Sequence, residues 1–176
     1  MRRSNNADFV EHWDCSGIVL ICVGTPIDDR GHADTSAVEL VLGELSERAT
    51  APIVVVRSTL PVGTCERLLR EGAIRDTTRF FTVPEFLRQG AALADFRHPN
   101  RVVIGCPANA DPEARDALVD LLLAFDAPML VVTLEESELI KNGANAGNVQ
   151  LQFASGDGVV TATIKGDQCY FTARKL

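Results

Sequence analysis

Runs of unbroken apolar residues recur along this chain with helical segments between them, and that alternation restricts the fold more than any other feature. Residues 17–23 read GIVLICV, residues 53–56 read IVVV, and residues 80–83, 102–104 and 129–132 repeat the pattern. A strand that is apolar at successive positions has two dry faces and must be covered on both, as in a parallel sheet between helices. The segments between supply those helices. Asp34 can cap a helix over residues 35–49, where Val38, Val41, Leu42 and Leu45 form one apolar stripe. Pro61 fits the first turn of a helix carrying Leu68 and Leu69. Asp111-Pro112 starts a helix over residues 113–125 with Leu118, Leu121, Leu122 and Phe125 on one face, and residues 135–146 begin another. Strands and helices alternating at these lengths predict an α/β fold on a doubly wound parallel sheet.

After Ala146 the pattern changes. VQLQFA, SGDG, VVTATI, KGDQ and CYFTAR alternate polar with apolar residues between turn-formers, as in an antiparallel β meander. The chain therefore divides near residue 147 into two unlike parts.

Composition narrows the partners. A chain of 176 residues with 46% hydrophobic content suffices for one domain, or one domain and an appendage. A net charge of −7 carries no electrostatic footprint for nucleic acid or an anionic membrane. No apolar run approaches a membrane span, and MRRSNNADF lacks a signal-peptide core. The 5 cysteines are odd in number and lack metal-site spacing; those in or beside apolar strands and helices read as buried free thiols. His12, His32 and His98 have no partner at triad or metal spacing, so no metal is assigned. These features describe a soluble, acidic chain of cytoplasmic type.

Chemistry-bearing residues fall at strand ends, where open α/β sheets place their ligands. Gly24 and Thr25 follow the first strand: glycine admits a ligand to the backbone, and a threonine hydroxyl can bond a phosphate, a ribose or a nicotinamide amide. The alternative is a plain strand-to-loop turn. Ser58 and Thr59 end the second strand, where their hydroxyls suit anion or cofactor contact and equally suit helix capping. Glu85, set by Pro84 at the end of the third strand, is either a solvated loop carboxylate or a group that orients a water or acts as a base. The backbone N–H groups of Phe86, Leu87 and Arg88 just after it could hold a diphosphate. Lys141 and Asn145, four apart on the last helix, place an ammonium and an amide on one face, able to stabilise a developing oxyanion. A solvent-facing lysine is the plainer account of that pair.

Taken together and in order, these segments resemble the UDP-glucose/GDP-mannose dehydrogenase family. The matching text is CVGTP with the G, AD, S and V that follow it (residues 22–38), STLPVGT (58–64), PEFLRQGAALADFRHPNRVVIG (84–105) and SELIK with the later NA (137–146), so the likeness covers about residues 14–146. HPNRVVIG leans towards the UDP-glucose 6-dehydrogenase branch. The resemblance implies a twofold NAD-dependent oxidation of a nucleotide-sugar C6 alcohol to the uronic acid, through an aldehyde and a thioester on a catalytic cysteine, in polysaccharide biosynthesis. It implies that Thr25 contacts the cofactor and that Thr59 lies near the nicotinamide and the hydrolytic water. Glu85 would activate that water, Lys141 and Asn145 would stabilise the oxyanion, and residues 85–88 with Lys141 and Asn145 would face the sugar nucleotide. Gln89 stands where the family commonly has a second glutamate.

The ends depart from the family. No G-x-G-x-x-G precedes Gly17, and the family's long helix meets Gly147-Asn148. Cys169 does not match the family's catalytic cysteine motif. The expected architecture is the second half of a Rossmann-type sheet lacking its first βαβ unit (residues 1–133), the start of a central helix (134–146) and a β-rich tail (147–176). Such a chain is expected to be an inactive or incomplete fragment, arising by frameshift, fusion or truncation. The alternative is a non-catalytic module that binds a nucleotide sugar or dinucleotide. The apolar edge of the first strand is expected to lack a neighbour and to drive poor solubility or homo-oligomers, unless the tail covers it.

Overall fold

The computed structural model describes residues 17–47, 51–88 and 90–143, and the backbone of 149–155, 158–164 and 174–175. Strands β1 (Ile18–Ile21), β2 (Ile53–Val56), β3 (Phe80–Thr82), β4 (Val102–Cys106) and β5 (Met129–Thr133) form one sheet in the order β1-β2-β3-β4-β5. Helices α1 (Ser36–Ser46), α2 (Thr64–Arg70), α3 (Ala92–Arg97), α4 (Pro112–Leu122) and α5 (Leu134–Gly143) fill the intervals. This is the mixed α/β, Rossmann-like sheet expected. No helix among the described residues is long and apolar enough to cross a membrane.

The unbroken apolar runs bury both faces, as their composition requires. Val54, Val56 and Phe80 pack with Val38, Leu42, Leu45 and Leu68 on one side of the sheet. Ile53, Val55 and Phe81 pack with Ala114, Leu118 and Leu122 on the other. Phe80 and Phe81 are each 0% exposed, so adjacent residues anchor opposite layers. Burying one such side chain contributes about 1.5–3 kcal/mol. β1 is less covered than its composition predicts, with Leu20 46% exposed, while its pairing with β2 alone among the described residues agrees with the expected open edge.

β1, β2 and β3 run parallel, and so do β4 and β5, but β3 and β4 are antiparallel, meeting at Thr82 and Gly105. A parallel neighbour needs a crossover laid across the sheet. The segment between β3 and β4 contains only α3, which buries none of its residues, so the chain turns back instead.

Several helix boundaries also shift. The cap position of α1 is Thr35, not Asp34, whose carboxylate instead accepts from the Ser36 N–H at 2.9 Å, and the helix ends at Ser46. Pro61 lies before α2, not in it: its carbonyl takes the Thr64 N–H, and Gly63, at φ +86°, is the cap residue. That left-handed conformation calls for glycine. Asp111 caps α4 with Pro112 behind it, as expected, but Leu121 is 48% exposed because the buried stripe runs Ala114, Leu118, Leu122. β6 (Val149–Ser155), β7 (Gly158–Ile164) and β8 (Arg174–Lys175) pair antiparallel in that order, matching the period-two pattern of the tail.

Candidate functional site

Residues 22–25 after β1, residues 57–59 after β2, Glu85 and Leu87 after β3, and Lys141 on α5 line one cleft of about 290 Å³. The sheet places the first three groups side by side, because β1, β2 and β3 end along a common edge. α5 starts beyond β5 and brings its last turn to the same edge. Thr25, Thr59, Glu85, Leu87 and Lys141, singled out from four separate segments, therefore share one surface. Asn145 and Gln89 lie outside the described residues.

Hydroxyls at the strand ends divide between architecture and cleft. Ser58 Oγ donates to the Val23 carbonyl at 2.7 Å and so ties the end of β1 to the end of β2. Thr25 Oγ1 donates to the Thr59 carbonyl at 2.9 Å across the same gap. The Thr59 side chain caps no helix and lies exposed at the cleft. At Gly24 an added Cβ would meet nothing within 4 Å, so the fold itself does not require glycine there. The open backbone suits the approach of a ligand.

Glu85 is held from two sides. Arg57 Nε meets its Oε1 at 2.7 Å, with side-chain exposures of 12% for the arginine and 30% for the carboxylate. Lys141 Nζ donates to the Glu85 backbone carbonyl. An ammonium has three donors, so Lys141 can still aim an N–H into the cleft. Burial pushes the Lys141 pKa below its ordinary value, with Arg101 acting in the same direction and Glu85 opposing.

Phe86 does not line the cleft with its neighbours Glu85 and Leu87. Its ring centroid lies 4.3 Å from the Arg101 guanidinium and 5.3 Å from the Lys141 ammonium, and the ring packs on Val103, Val132 and Ile140. Cation–π contact of this kind fixes the ring rather than leaving it free to bind. Arg88 folds back onto α3: its backbone N–H bonds Asp95 Oδ2 at 2.8 Å and its guanidinium bonds Oδ1 at 2.7 Å. The Arg88 hydrogen bonds hold the Asp95 pKa at about 2. The Arg88 amide is therefore engaged by Asp95 and not turned to the cleft, unlike the expectation for a diphosphate cradle.

Of the cysteines, Cys65 is buried and Cys106 half-buried, its thiol pushed up to about 11 by burial. Cys22 is instead exposed at the cleft. Burial raises its pKa, opposed by Arg57. Cys15 and Cys169 lie outside the described residues.

Sequence reasoning passed over Arg57, Glu138 and Asn142. Arg57 was detectable, since it is a charge at the end of the buried run IVVV, the same signal that marks Glu85. Glu138 and Asn142 had no local signal: their partners, Leu60, Gly63 and Cys65, come from a distant loop and the first turn of α2.

Comparison with known proteins identifies the setting. Residues 2–122 match the model of the UDP-glucose/GDP-mannose dehydrogenase family, NAD binding domain, reaching closer to the start than the motif blocks do. The UDP-glucose 6-dehydrogenase of Rhizobium meliloti (strain 1021) is 39% identical over 139 residues, covering 74% of this chain and 32% of the relative. A UDP-glucose 6-dehydrogenase of Pseudomonas aeruginosa is 40% identical over 156 residues, covering 82% of this chain and 34% of the relative. Among solved structures, a ternary complex of GDP-mannose dehydrogenase from Pseudomonas aeruginosa superposes with a TM-score of 0.64 at 34% identity, over 74% of this chain and 32% of that one. The chain thus spans about a third of the length of these relatives.

Proposed function

The chain belongs to the UDP-glucose/GDP-mannose dehydrogenase family, and from that premise we propose that its cleft is the part of a nucleotide-sugar 6-dehydrogenase site that meets the nicotinamide and the hydrolytic water. NAD is the cofactor, and when bound it supplies the hydride acceptor. The residues present fit part of a dinucleotide: an open Gly24 backbone, two threonine side chains and a cleft of about 290 Å³. Pockets for small ligands run from about 300 to 1,000 Å³.

In this reading Thr25 and Thr59 hold the cofactor, and Thr59 also faces the water. Glu85, oriented by Arg57, takes a proton from that water. Lys141, with Asn145 beyond it, donates to an oxygen that gains negative charge during the reaction. With Arg88 turned to Asp95 and the Phe86 ring engaged by Arg101 and Lys141, contact with the sugar nucleotide falls to Glu85 and Leu87. The substrate is UDP-glucose and the product the uronic acid, a reaction of cytoplasmic polysaccharide biosynthesis; two relatives named UDP-glucose 6-dehydrogenase at 39% and 40% identity support this choice. Residues 1–133 then form part of the cofactor domain and 134–146 the start of the linking helix, with 147–176 separate.

The observation that carries the proposal is the convergence of Thr25, Thr59, Glu85 and Lys141 on one cleft. A second reading is a module that binds a nucleotide sugar or dinucleotide without turnover. Calorimetric titration with UDP-glucose and GDP-mannose, alongside NADH formation at 340 nm, separates the two. Saturable UDP-glucose binding, weakened about tenfold by Glu85→Ala, is expected. NADH formation places the whole reaction on this chain, and binding without it leaves the module. Absence of UDP-glucose binding with and without NAD overturns both.

A further inference from the structure

We infer that α5 is a clasp coupling the two walls of the cleft, with Glu138 and Asn142 as positioning residues for the wall that carries Thr59. The functional meaning rests on the cleft being the site proposed above; the mechanical coupling does not.

Glu138, Lys141 and Asn142 are spaced i, i+3 and i+4 and so share one helix face. Each grips backbone from elsewhere in the chain. Glu138, 4% exposed, accepts the Gly63 N–H at 2.7 Å through Oε2 and the Cys65 N–H at 2.8 Å through Oε1. Asn142 Nδ2 donates to the Leu60 carbonyl at 2.9 Å and to the carbonyl of Glu138 at 2.7 Å. Lys141 holds the Glu85 carbonyl. Glu138 and Asn142 fix the segment just after Thr59, and Lys141 fixes the neighbouring segment that follows β3.

The need for a distant carboxylate follows from local chemistry. The first turn of any α-helix leaves its N–H groups unpaired. Gly63, the cap residue of α2, has no side chain to satisfy them, and Glu138 supplies two acceptors at the positive end of the helix. The seating of α5 is separate from its grip. Ser137 Oγ meets Thr82 Oγ1 at 2.6 Å, and Ile140, 1% exposed, packs on Val103 and Val132. One part of the helix surface docks it on the sheet while another holds both walls, so a shift at one wall is transmitted to the other.

Hydrogen exchange of the full chain, read by mass spectrometry, tests the coupling. Glu138→Gln keeps the side-chain shape and one oxygen acceptor. Burial raises the Glu138 pKa, opposed by its bonds to Cys65 and Gly63, so this variant also removes a charge that the fold holds at a cost. Glu138→Gln is expected to speed exchange at residues 62–65 and, through α5, at 85–88 by about threefold, with β4 and α4 unchanged. Glu138→Leu, which removes both acceptors, should have about twice that effect, so that the glutamine variant rescues part of it. Lys141→Met should act in reverse, speeding residues 85–88 and then 62–65. Changes confined to the mutated wall, or shared equally by β4, overturn the clasp. NADH fluorescence titration of the same variants reads the functional consequence. Weaker binding by Glu138→Gln at unchanged melting temperature supports positioning, and unchanged binding contradicts it. A wild-type chain that does not bind NADH removes the site reading while leaving the exchange result to decide the coupling.

Discussion

Glu85 keeps Oε1 on Arg57 at 2.7 Å and its backbone carbonyl on Lys141, so both the charge and the main chain of this residue are located by cations. The proline before it and the strand end beneath it were visible in the sequence; its pairing with these cations was not, because they lie 28 and 56 residues away. Lys141 carries a pH prediction. Burial is the main cause of its lowered pKa, with Arg101 adding to it. From that lowered value up to the ordinary 10.5, the unfolded chain binds more protons than the folded one, so stability rises with pH across the window. Urea unfolding followed as the pH is raised to 10.5 should show the rise in the wild type, and Lys141→Met should lack that increment. Equal slopes in the two proteins would contradict the account.

Among the elements, α5 and β4 meet where there is no room for a side chain. A Cβ at Gly105 would lie 2.2 Å from Thr82 Oγ1, 2.4 Å from Ser137 Oγ and 2.8 Å from Ser137 Cβ. Gly105→Ala should therefore lift α5 and cost about 1–3 kcal/mol in urea unfolding. Adding Ser137→Gly should recover part of the loss, and a change below about 0.5 kcal/mol would show that the contact can relax. In the sequence Gly105 only closes the run RVVIG, so the close approach was not legible. The strands themselves were, since residues 53–56 must divide between two cores whichever way the chain turns. Strand direction was harder. Whether α3 crosses the sheet or turns back depends on how far it is buried, and it buries none of its residues, which apolar periodicity does not report. The start of α2 was misplaced for a related reason: Pro61 suits a first turn, but the cap comes from Glu138 on another helix.

At the scale of the molecule, four chain segments meet at one cleft, and residues 2–122 match an NAD binding domain. Thr25, Thr59, Glu85 and Lys141 were legible because each sits at a strand end or on a helix face within a recognisable block of sequence. Their partners were not, because tertiary contacts define them. The most direct test of the shared cleft is backbone amide mapping by nuclear magnetic resonance on adding NADH to the full chain. The account predicts that the amides of Gly24, Thr25, Thr59 and Leu87 shift together along one saturating curve. Shifts confined to the opposite end of the sheet, around Leu45 and Ile74, or none at these four positions, would contradict it.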